Sequence, residues 1–241
     1  MVTSACTINT ESRTPGYSCL SKKDLQQVAK ALSVKISDKK TTHESIKKKI
    51  GLPESQWYRV APIPRDIKCK LKFMLYKPKG PGKEYAWLDN IQITKVMSQY
   101  SYYLKKNGVP FKFYNTVSAD YFTKNPKKVL DVKEIAKKNN VGIIFNTSPE
   151  DKPGSHWVSV LIKPSTLEFF DSNGKKPNVY IKNFIDQFDN HVKKINTKEY
   201  QKKDGTCGMW AMVYLLKTVL NAKVSKDTDK TVNSLRRTFF I

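Results

Sequence analysis

Residues 200–208 of the chain read YQKKDGTCG, and an apolar run, MWAMVYLLKTVL, follows at 209–220. This order predicts a polar loop that leads into a buried helix, with Cys207 at the junction. The N-terminus of a helix offers unpaired N–H groups and the positive end of its dipole, and both favour a thiolate over a thiol. Cys207 is therefore placed to act as a nucleophile.

A β-hairpin is predicted upstream of this loop. Residues 156–162 read HWVSVLI and residues 167–171 read LEFFD, and the turn sequence KPST separates these two β-like runs. A two-residue loop at 163–164 sets a register in which His156 lies directly opposite Asp171. Directly opposed residues share a face, with Cβ atoms roughly 4.5–5.5 Å apart. We therefore expect the carboxylate to orient the imidazole.

The order of four side chains along the chain is that of a thiol-dependent catalytic site. His156 is the candidate base, Asp171 its orienting carboxylate, Gln201 the oxyanion donor and Cys207 the nucleophile. Each residue alone also fits a structural role, since a histidine beside a strand is commonly a surface or core residue and an aspartate often starts a turn. Their order and the hairpin register together favour catalysis. The remaining histidines are expected at the surface: His43 and His191.

The chain is strongly basic. It has 241 residues with a net charge of +23, from 44 Lys and Arg against 21 Asp and Glu. Such an excess attracts polyanions, and nucleic acid is the first candidate partner. A Lys-rich solvated surface without a specific partner explains the composition equally well, and the two interpretations are compatible. Dispersed lysines predict non-specific attraction rather than reading of bases.

Cysteine spacing and hydropathy limit the class of protein. The four cysteines (Cys6, Cys19, Cys69 and Cys207) are widely spaced without a CxxC pair, so neither a zinc site nor a disulfide framework is expected. No metal or redox cofactor is implied. No apolar run is long enough to span a bilayer, so membrane insertion is not expected. The N-terminus lacks the features of a signal peptide, which favours a location in the cytosol or inside a virion.

Three segments are predicted: a flexible N-terminus at 1–20, a basic helical arm with a Pro- and Gly-containing linker at 21–84, and a catalytic domain at 85–241. In the arm, Ser21 is expected to cap a first helix and Thr41 to open a second one. A strand is expected in the linker at Lys70–Tyr76.

The catalytic domain is expected to be α+β with a mixed sheet, because helices precede a group of strands and a helix follows them. The expected helices are 89–107, 132–138, 179–188, the helix after Cys207 and 231–240; the expected strands, besides the hairpin, are 141–145 and 194–200.

These motifs together resemble the ubiquitin-like-protein-specific cysteine proteases, the clan of the SUMO proteases and the adenovirus-type endopeptidase. The resemblance covers about residues 85–220, and the N-terminal 84 residues have no counterpart in the SUMO-protease core. Its motifs are the strand Val141–Phe145, His156-Trp157, Phe170-Asp171-Ser172, Asp204–Gly208 with Gln201 six positions before Cys207, and the entry motif Trp87–Ile93.

The resemblance implies a papain-like or adenain-like core, in which a central mixed β-sheet is flanked by helices and the catalytic Cys207 begins a buried helix. It also implies that Trp87, Trp157 and Gly208 contact the substrate, although core packing explains Trp157 nearly as well. A preference for Gly before the cut follows, giving sites of the Gly-Gly-x type.

Three functions remain open. The first is a maturation protease of a large DNA virus that cuts structural polyproteins at Gly-containing sites, located in the virion and the host cytoplasm. The second is an isopeptidase that removes SUMO or another ubiquitin-like modifier, located in the cytoplasm or nucleus. The third is a basic DNA-binding virion protein with a vestigial protease domain, which the complete set of four site residues disfavours.

Overall fold

The computed structural model describes residues 5–7, 18–83, 85–222, 224 and 227–241. The chain divides into two units, Met1–Lys79 with Phe239–Ile241, and Gly80–Thr238, called here the N-terminal and C-terminal units. Most of the expected flexible N-terminus lies outside the described residues. Within the described part, Cys6, Thr7 and residues 18–20 are buried.

The N-terminal unit is helical around the buried ring of Trp57. Ser21 caps its first helix as predicted, since the hydroxyl accepts the Asp24 N–H at 3.1 Å. The second helix begins two residues before Thr41, because the Asp38 carboxylate caps it instead. Its elements are α1 (Lys22–Ala31), α2 (Lys39–Ile50), a 3₁₀ helix (Glu54–Arg59), α3 (Arg65–Cys69) and a π-helical turn (Lys70–Met74).

The strand expected at Lys70–Tyr76 is wrong, because this segment is helical to Met74. The alternation of Leu71, Phe73 and Leu75 suggested a strand with one apolar face. Phe73 is in fact 48% exposed, whereas Ile67, Leu71 and Leu75 are buried. Their spacing of four residues is that of a helix face, so the helical period decides the structure.

Cys6 and Cys19 form a disulfide, with a Cα–Cα distance of 5.5 Å. The cysteine spacing predicted no disulfide framework. This single bond could not be predicted, because the two cysteines lie 13 residues apart and belong to no motif. The remaining cysteines are free thiols, Cys69 exposed and Cys207 buried. Cys207 thus keeps the free sulfur that a nucleophile needs.

The C-terminal unit contains a mixed sheet, as predicted, with strands in the order β1-β2-β3-β4-β5. The outer pairs, β1/β2 and β4/β5, are parallel, and the inner pairs are antiparallel. β1 was not predicted, and the strand expected at 194–200 lies earlier. The strands are β1 (Phe111–Val117), β2 (Asn140–Asn146), β3 (Trp157–Ile162), β4 (Thr166–Phe170) and β5 (Val192–Ile195).

The β3–β4 hairpin forms in a register two residues away from the predicted one. Val160 pairs with Phe169, and the loop consists of Pro164 and Ser165, closed by the Lys163 N–H on the Thr166 carbonyl. The predicted loop would place Pro164 at the second corner of the turn, where proline is disfavoured, whereas the observed loop places it at the first. Because a register shift of two residues keeps each side chain on the same face of the sheet, His156 and Asp171 still share a face.

Helices cover both faces of the sheet. The apolar helix α8 (Cys207–Val219) packs on β2 and β3. On the other face, α5 (Tyr121–Lys124), α6 (Lys127–Ala136) and α7 (Val179–Asp186) cover Phe145 and Phe169, and Phe184 of α7 packs on the Phe145 ring. Among the described residues, no helix combines the length and apolarity needed to cross a bilayer. The helices are α4 (Asn90–Lys106), α5 (Tyr121–Lys124), α6 (Lys127–Ala136), α7 (Val179–Asp186), α8 (Cys207–Val219), α9 (Asp229–Ser234) and α10 (Arg236–Phe239).

Candidate active site

Cys207 is the first residue of α8 and is 3% exposed. The helix is almost entirely apolar and buried, so its polar N-terminal end is the part that reaches an opening. That opening is a cleft of about 460 Å³. The four predicted catalytic residues all line it: His156, Asp171, Gln201 and Cys207.

His156 and Asp171 form the expected pair. The imidazole Nε2 lies 2.7 Å from Asp171 Oδ1, and the two side chains are 16% and 4% exposed. His156 immediately precedes β3 and Asp171 immediately follows β4, and in the observed register they are diagonal neighbours on one face. Diagonal pairs are still within reach of long side chains. The hairpin therefore delivers the predicted contact by a different pairing.

The remaining imidazole nitrogen faces the nucleophile. Asp171 occupies Nε2, so Nδ1 is the nitrogen left for Cys207, whose side chain interacts with the imidazole. Burial alone would lower the pKa of His156. The hydrogen bonds and negative charges of Asp171 and Cys207 outweigh burial and raise the pKa from 6.5 to about 9. His156 is therefore an imidazolium at neutral pH, paired with the Asp171 carboxylate.

Asn196 holds Asp171 in place, and this contact was not predicted from the sequence. Its Oδ1 accepts the Asp171 N–H at 2.7 Å and its Nδ2 donates to the Asp171 carbonyl at 2.8 Å. The Asn173 N–H also donates to Asp171 Oδ1, at 2.7 Å. Asn196 directly follows β5, whose pairing with β4 has no signal in the sequence, so nothing there indicated this contact.

Gln201 is 8% exposed and its amide has a fixed orientation. Its Oε1 accepts the Ser172 hydroxyl at 2.8 Å, and its Nε2 donates to the Lys203 carbonyl at 3.0 Å. An amide nitrogen carries two hydrogens, and the described contacts use one of them. The second can donate into the cleft. Ser172 belongs to the motif that the sequence analysis quoted, but its role in orienting Gln201 was missed.

The three residues expected to contact substrate lie in different surroundings. Trp87 is 54% exposed and lines both the catalytic cleft and a neighbouring cavity of about 490 Å³. Trp157 is 7% exposed, lines that second cavity, and donates its Nε1–H to the Leu88 carbonyl at 2.8 Å. Gly208 is buried, and a Cβ there would press on Leu88 and Ile93. Substrate contact by these residues stays a prediction.

Gly205 brings the Trp87 segment against the catalytic loop. It has φ +78°, and an added Cβ would clash with the Tyr85 carbonyl oxygen and touch the Trp87 ring at 3.0 Å. Only glycine tolerates both this backbone conformation and so close an approach. The residue is therefore required where two distant segments of the C-terminal unit meet.

These contacts define the chemistry available in the cleft. A thiol beside an imidazolium–carboxylate pair, with an amide N–H and a helix N-terminus nearby, is suited to acyl transfer through a thioester. Within the described ranges, His, Cys, Asp and Glu side chains form no group of three that could hold a metal ion. The fold and the arrangement of the site resemble those of cysteine proteases.

Comparison with known proteins agrees with this class. The chain is 29% identical over 200 residues to R355 of Acanthamoeba polyphaga mimivirus, which is named as a thiol protease. The match covers 73% of the chain and 63% of R355, so the chain matches less than two thirds of that relative. No family model matches the chain. The expected resemblance to viral thiol proteases is thus confirmed in sequence.

Two solved structures illustrate the fold. The ASFV pS273R protease is similar with a TM-score of 0.63 and 19% identity, over 98% of this chain and 95% of that one. The Ulp1 protease domain in complex with yeast SUMO has a TM-score of 0.46 and 15% identity, over 95% and 96%. The ASFV match includes the N-terminal residues, for which the sequence resemblance found no counterpart in the SUMO-protease core.

Proposed function

We propose that the chain is a cysteine endopeptidase that uses Cys207, His156 and Asp171 as a catalytic triad and Gln201 as the oxyanion donor. The observation that carries the proposal is the meeting of all four side chains in one cleft, where His156 is bonded to Asp171 at 2.7 Å and interacts with Cys207. The sequence relative named as a thiol protease supports the same activity.

The mechanism follows from the charges in the site. The Cys207 thiolate attacks the scissile carbonyl, and the oxyanion accepts hydrogen bonds from the free Gln201 N–H and the Cys207 backbone N–H. The His156 imidazolium gives its proton to the leaving amine, which leaves a thioester on Cys207. A water molecule then loses a proton to His156 and attacks the thioester, releasing the acid and restoring the ion pair.

We propose viral structural polyproteins as the substrate class, with Gly before the cut. The support is the mimivirus relative and the fold shared with the ASFV protease. A ubiquitin-like modifier is the competing substrate that the family resemblance implies. The proposal places the chain in the virion and at the host cytoplasmic assembly site, and its Lys-rich surface would hold packaged nucleic acid by charge alone.

The experiment compares peptides of the Gly-Gly-x type with a SUMO precursor, using the purified protein. We expect cleavage of the peptides, loss of cleavage in Cys207→Ala, and full cleavage in the matched variant Cys69→Ala. Faster turnover of the SUMO precursor than of any peptide would favour the isopeptidase. Unchanged cleavage in Cys207→Ala would refute the enzyme assignment itself.

A further inference from the structure

A buried carboxylate outside the triad lies against the catalytic loop. Asp229 begins α9 and is 7% exposed. Its Oδ2 accepts the backbone N–H groups of Lys202 at 2.6 Å and Lys203 at 2.8 Å. Its Oδ1 lies 2.8 Å from Thr206 Oγ1 and 2.8 Å from Trp210 Nε1. Donor groups thus surround both oxygens.

These donors are next in sequence to Gln201, the proposed oxyanion donor, and Cys207, the proposed nucleophile. Lys202 directly follows Gln201, and Thr206 directly precedes Cys207. Lys203 donates its backbone N–H to Asp229, and its carbonyl accepts a hydrogen bond from the Gln201 side-chain amide at 3.0 Å. One carboxylate therefore fixes both ends of the loop between the oxyanion donor and the nucleophile.

The alternative is that Asp229 only stabilises its own helix, as acidic residues in a first turn do. The N-cap of α9 is Thr228, however, whose side chain accepts the Thr231 N–H. The Asp229 oxygens point to donors that lie 19 to 27 residues earlier in the chain. Burying a charge is costly unless hydrogen bonds compensate it, so a carboxylate in this position is retained for those donors.

We propose that Asp229 is a positioning residue that holds Gln201 and the Cys207 backbone N–H in their catalytic geometry. The proposal rests on the proposed protease function. Asp229 acts through the loop and does not line the catalytic cleft. Its loss should therefore reduce transition-state stabilisation and leave the thiolate–imidazolium pair intact.

The test variant is Asp229→Asn, which keeps the shape but replaces one acceptor oxygen with an NH₂ group. That group faces donors on either side, so either the two backbone N–H groups or the Trp210 N–H loses its acceptor, whereas the Thr206 hydroxyl can donate to the Lys203 carbonyl instead. We expect kcat on a Gly-Gly-x peptide to fall at least about 10-fold, with KM changed much less. The matched control is Asp227→Asn, which breaks an ion pair with Lys217 near the same helix and should leave kcat unchanged.

Two further readouts separate positioning from a general loss of structure. The double variant Gln201→Ala/Asp229→Asn should be faster than the product of the two single losses predicts, because part of the loss in Asp229→Asn acts through Gln201. Alkylation of Cys207 by iodoacetamide needs no oxyanion donor, and its rate should stay near that of the wild type. Additive losses in kcat, or loss of alkylation in step with kcat, would overturn the proposal.

A last readout does not depend on activity. Hydrogen exchange of the Lys202 and Lys203 amides should accelerate in Asp229→Ala, which removes the acceptor of both, while β2 stays protected. If Asp229→Asn does not fold, Trp210→Phe removes one donor with little loss of volume and should lower kcat in the same way, without changing KM. Unchanged exchange in the loop contradicts the proposal even if the peptide substrate proves to be wrong. Full kcat in Trp210→Phe contradicts it on any peptide that is cleaved.

Discussion

At the scale of single residues, the amide of Gln201 gives the sharpest prediction. Gln201→Ala removes the side-chain donor that faces the cleft and should lower kcat by roughly 10²–10³, the usual effect of losing one oxyanion donor. KM should change much less, because the contact strengthens only in the transition state. Steady-state kinetics on one peptide substrate measures both constants.

The matched control for Gln201 is Gln187→Ala, at the end of α7, whose side chain bonds to the Asn183 carbonyl. It should leave both constants unchanged. An effect of Gln201→Ala confined to KM would mean that this amide binds the substrate in its ground state, and the oxyanion role would be wrong.

The raised pKa of His156 predicts how stability depends on pH. The folded state holds this proton up to about pH 9, whereas the unfolded imidazole loses it near 6.5. The stabilisation is therefore fully present below pH 6.5 and is lost as the pH rises through about 9. Urea titrations between these values should show the stability falling in the wild type and a flatter profile in His156→Ala. His191→Ala should keep the wild-type slope.

The rate of cleavage should fall over the same upper part of the pH range. Above about pH 9 the imidazolium that protonates the leaving amine is gone, so kcat/KM should fall on the alkaline side. The measurement is a pH–rate profile with a peptide substrate. A profile that stays flat to pH 10 would show that proton transfer from His156 does not limit turnover.

The side chains that meet in the candidate site could be predicted from the sequence, but their supports could not. Cys207 and Gln201 occupy a recognisable loop before an apolar helix, and His156 and Asp171 flank two β-like runs. Asn196 and Asp229 hold them through contacts that bridge separate elements. Such contacts depend on tertiary packing, so no local sequence pattern indicates which asparagine or aspartate will support the side chains of the site.

At the scale of elements, the β3–β4 hairpin makes His156 and Asp171 one unit. Asp171→Ala should leave a weaker but measurable enzyme, because a misoriented imidazole still transfers protons. The double variant His156→Ala/Asp171→Ala should be little slower than His156→Ala alone. Rates of the single and double variants, measured under identical conditions, give the coupling.

Asp186→Ala is the control for this cycle, since Asp186 forms an exposed ion pair with Lys182 on α7. It should cleave at the wild-type rate. Losses from His156→Ala and Asp171→Ala that multiply would mean that the two residues act independently, despite their contact.

An error in strand register does little harm to a prediction when each side chain stays on the same face of the sheet, whereas an error in the type of element changes the structure. The hairpin register was wrong by two residues, yet the side chains stayed on the same side of the sheet. The linker strand at Lys70–Tyr76 was wrong in kind, because alternation over three apolar residues matches a strand and a short helix almost equally well. β1 was missed, since its burial alternates only partly along Phe111–Val117.

At the scale of the whole molecule, the net charge of +23 predicts DNA binding without sequence preference. Affinity should fall with salt, with a logarithmic slope of roughly 0.9 for each phosphate neutralised on duplex DNA. Lys47, Lys48 and Lys49 form an exposed cluster in the last turn of α2. Changing all three to Glu should weaken binding and lower the slope, as fluorescence anisotropy at several salt concentrations can measure.

The matched control changes Lys105, Lys106 and Lys112, exposed residues of the C-terminal unit, to Glu. An equal effect of both triple variants would mean that dispersed charge, not the α2 cluster, attracts DNA. Deleting residues 1–50 is a poorer test, because α1 and α2 supply core residues around Trp57. Tight binding that ignores salt would contradict the electrostatic interpretation altogether.

The contact between Asp229 and the catalytic loop also has a consequence for biosynthesis. A ribosome makes every residue of the proposed catalytic machinery before it makes Asp229. A nascent chain that has reached only Val219 therefore carries the nucleophile, the base and the oxyanion donor, but lacks the carboxylate that fixes their loop. Proteolytic competence would therefore wait until Asp229 has been made and has bound the loop.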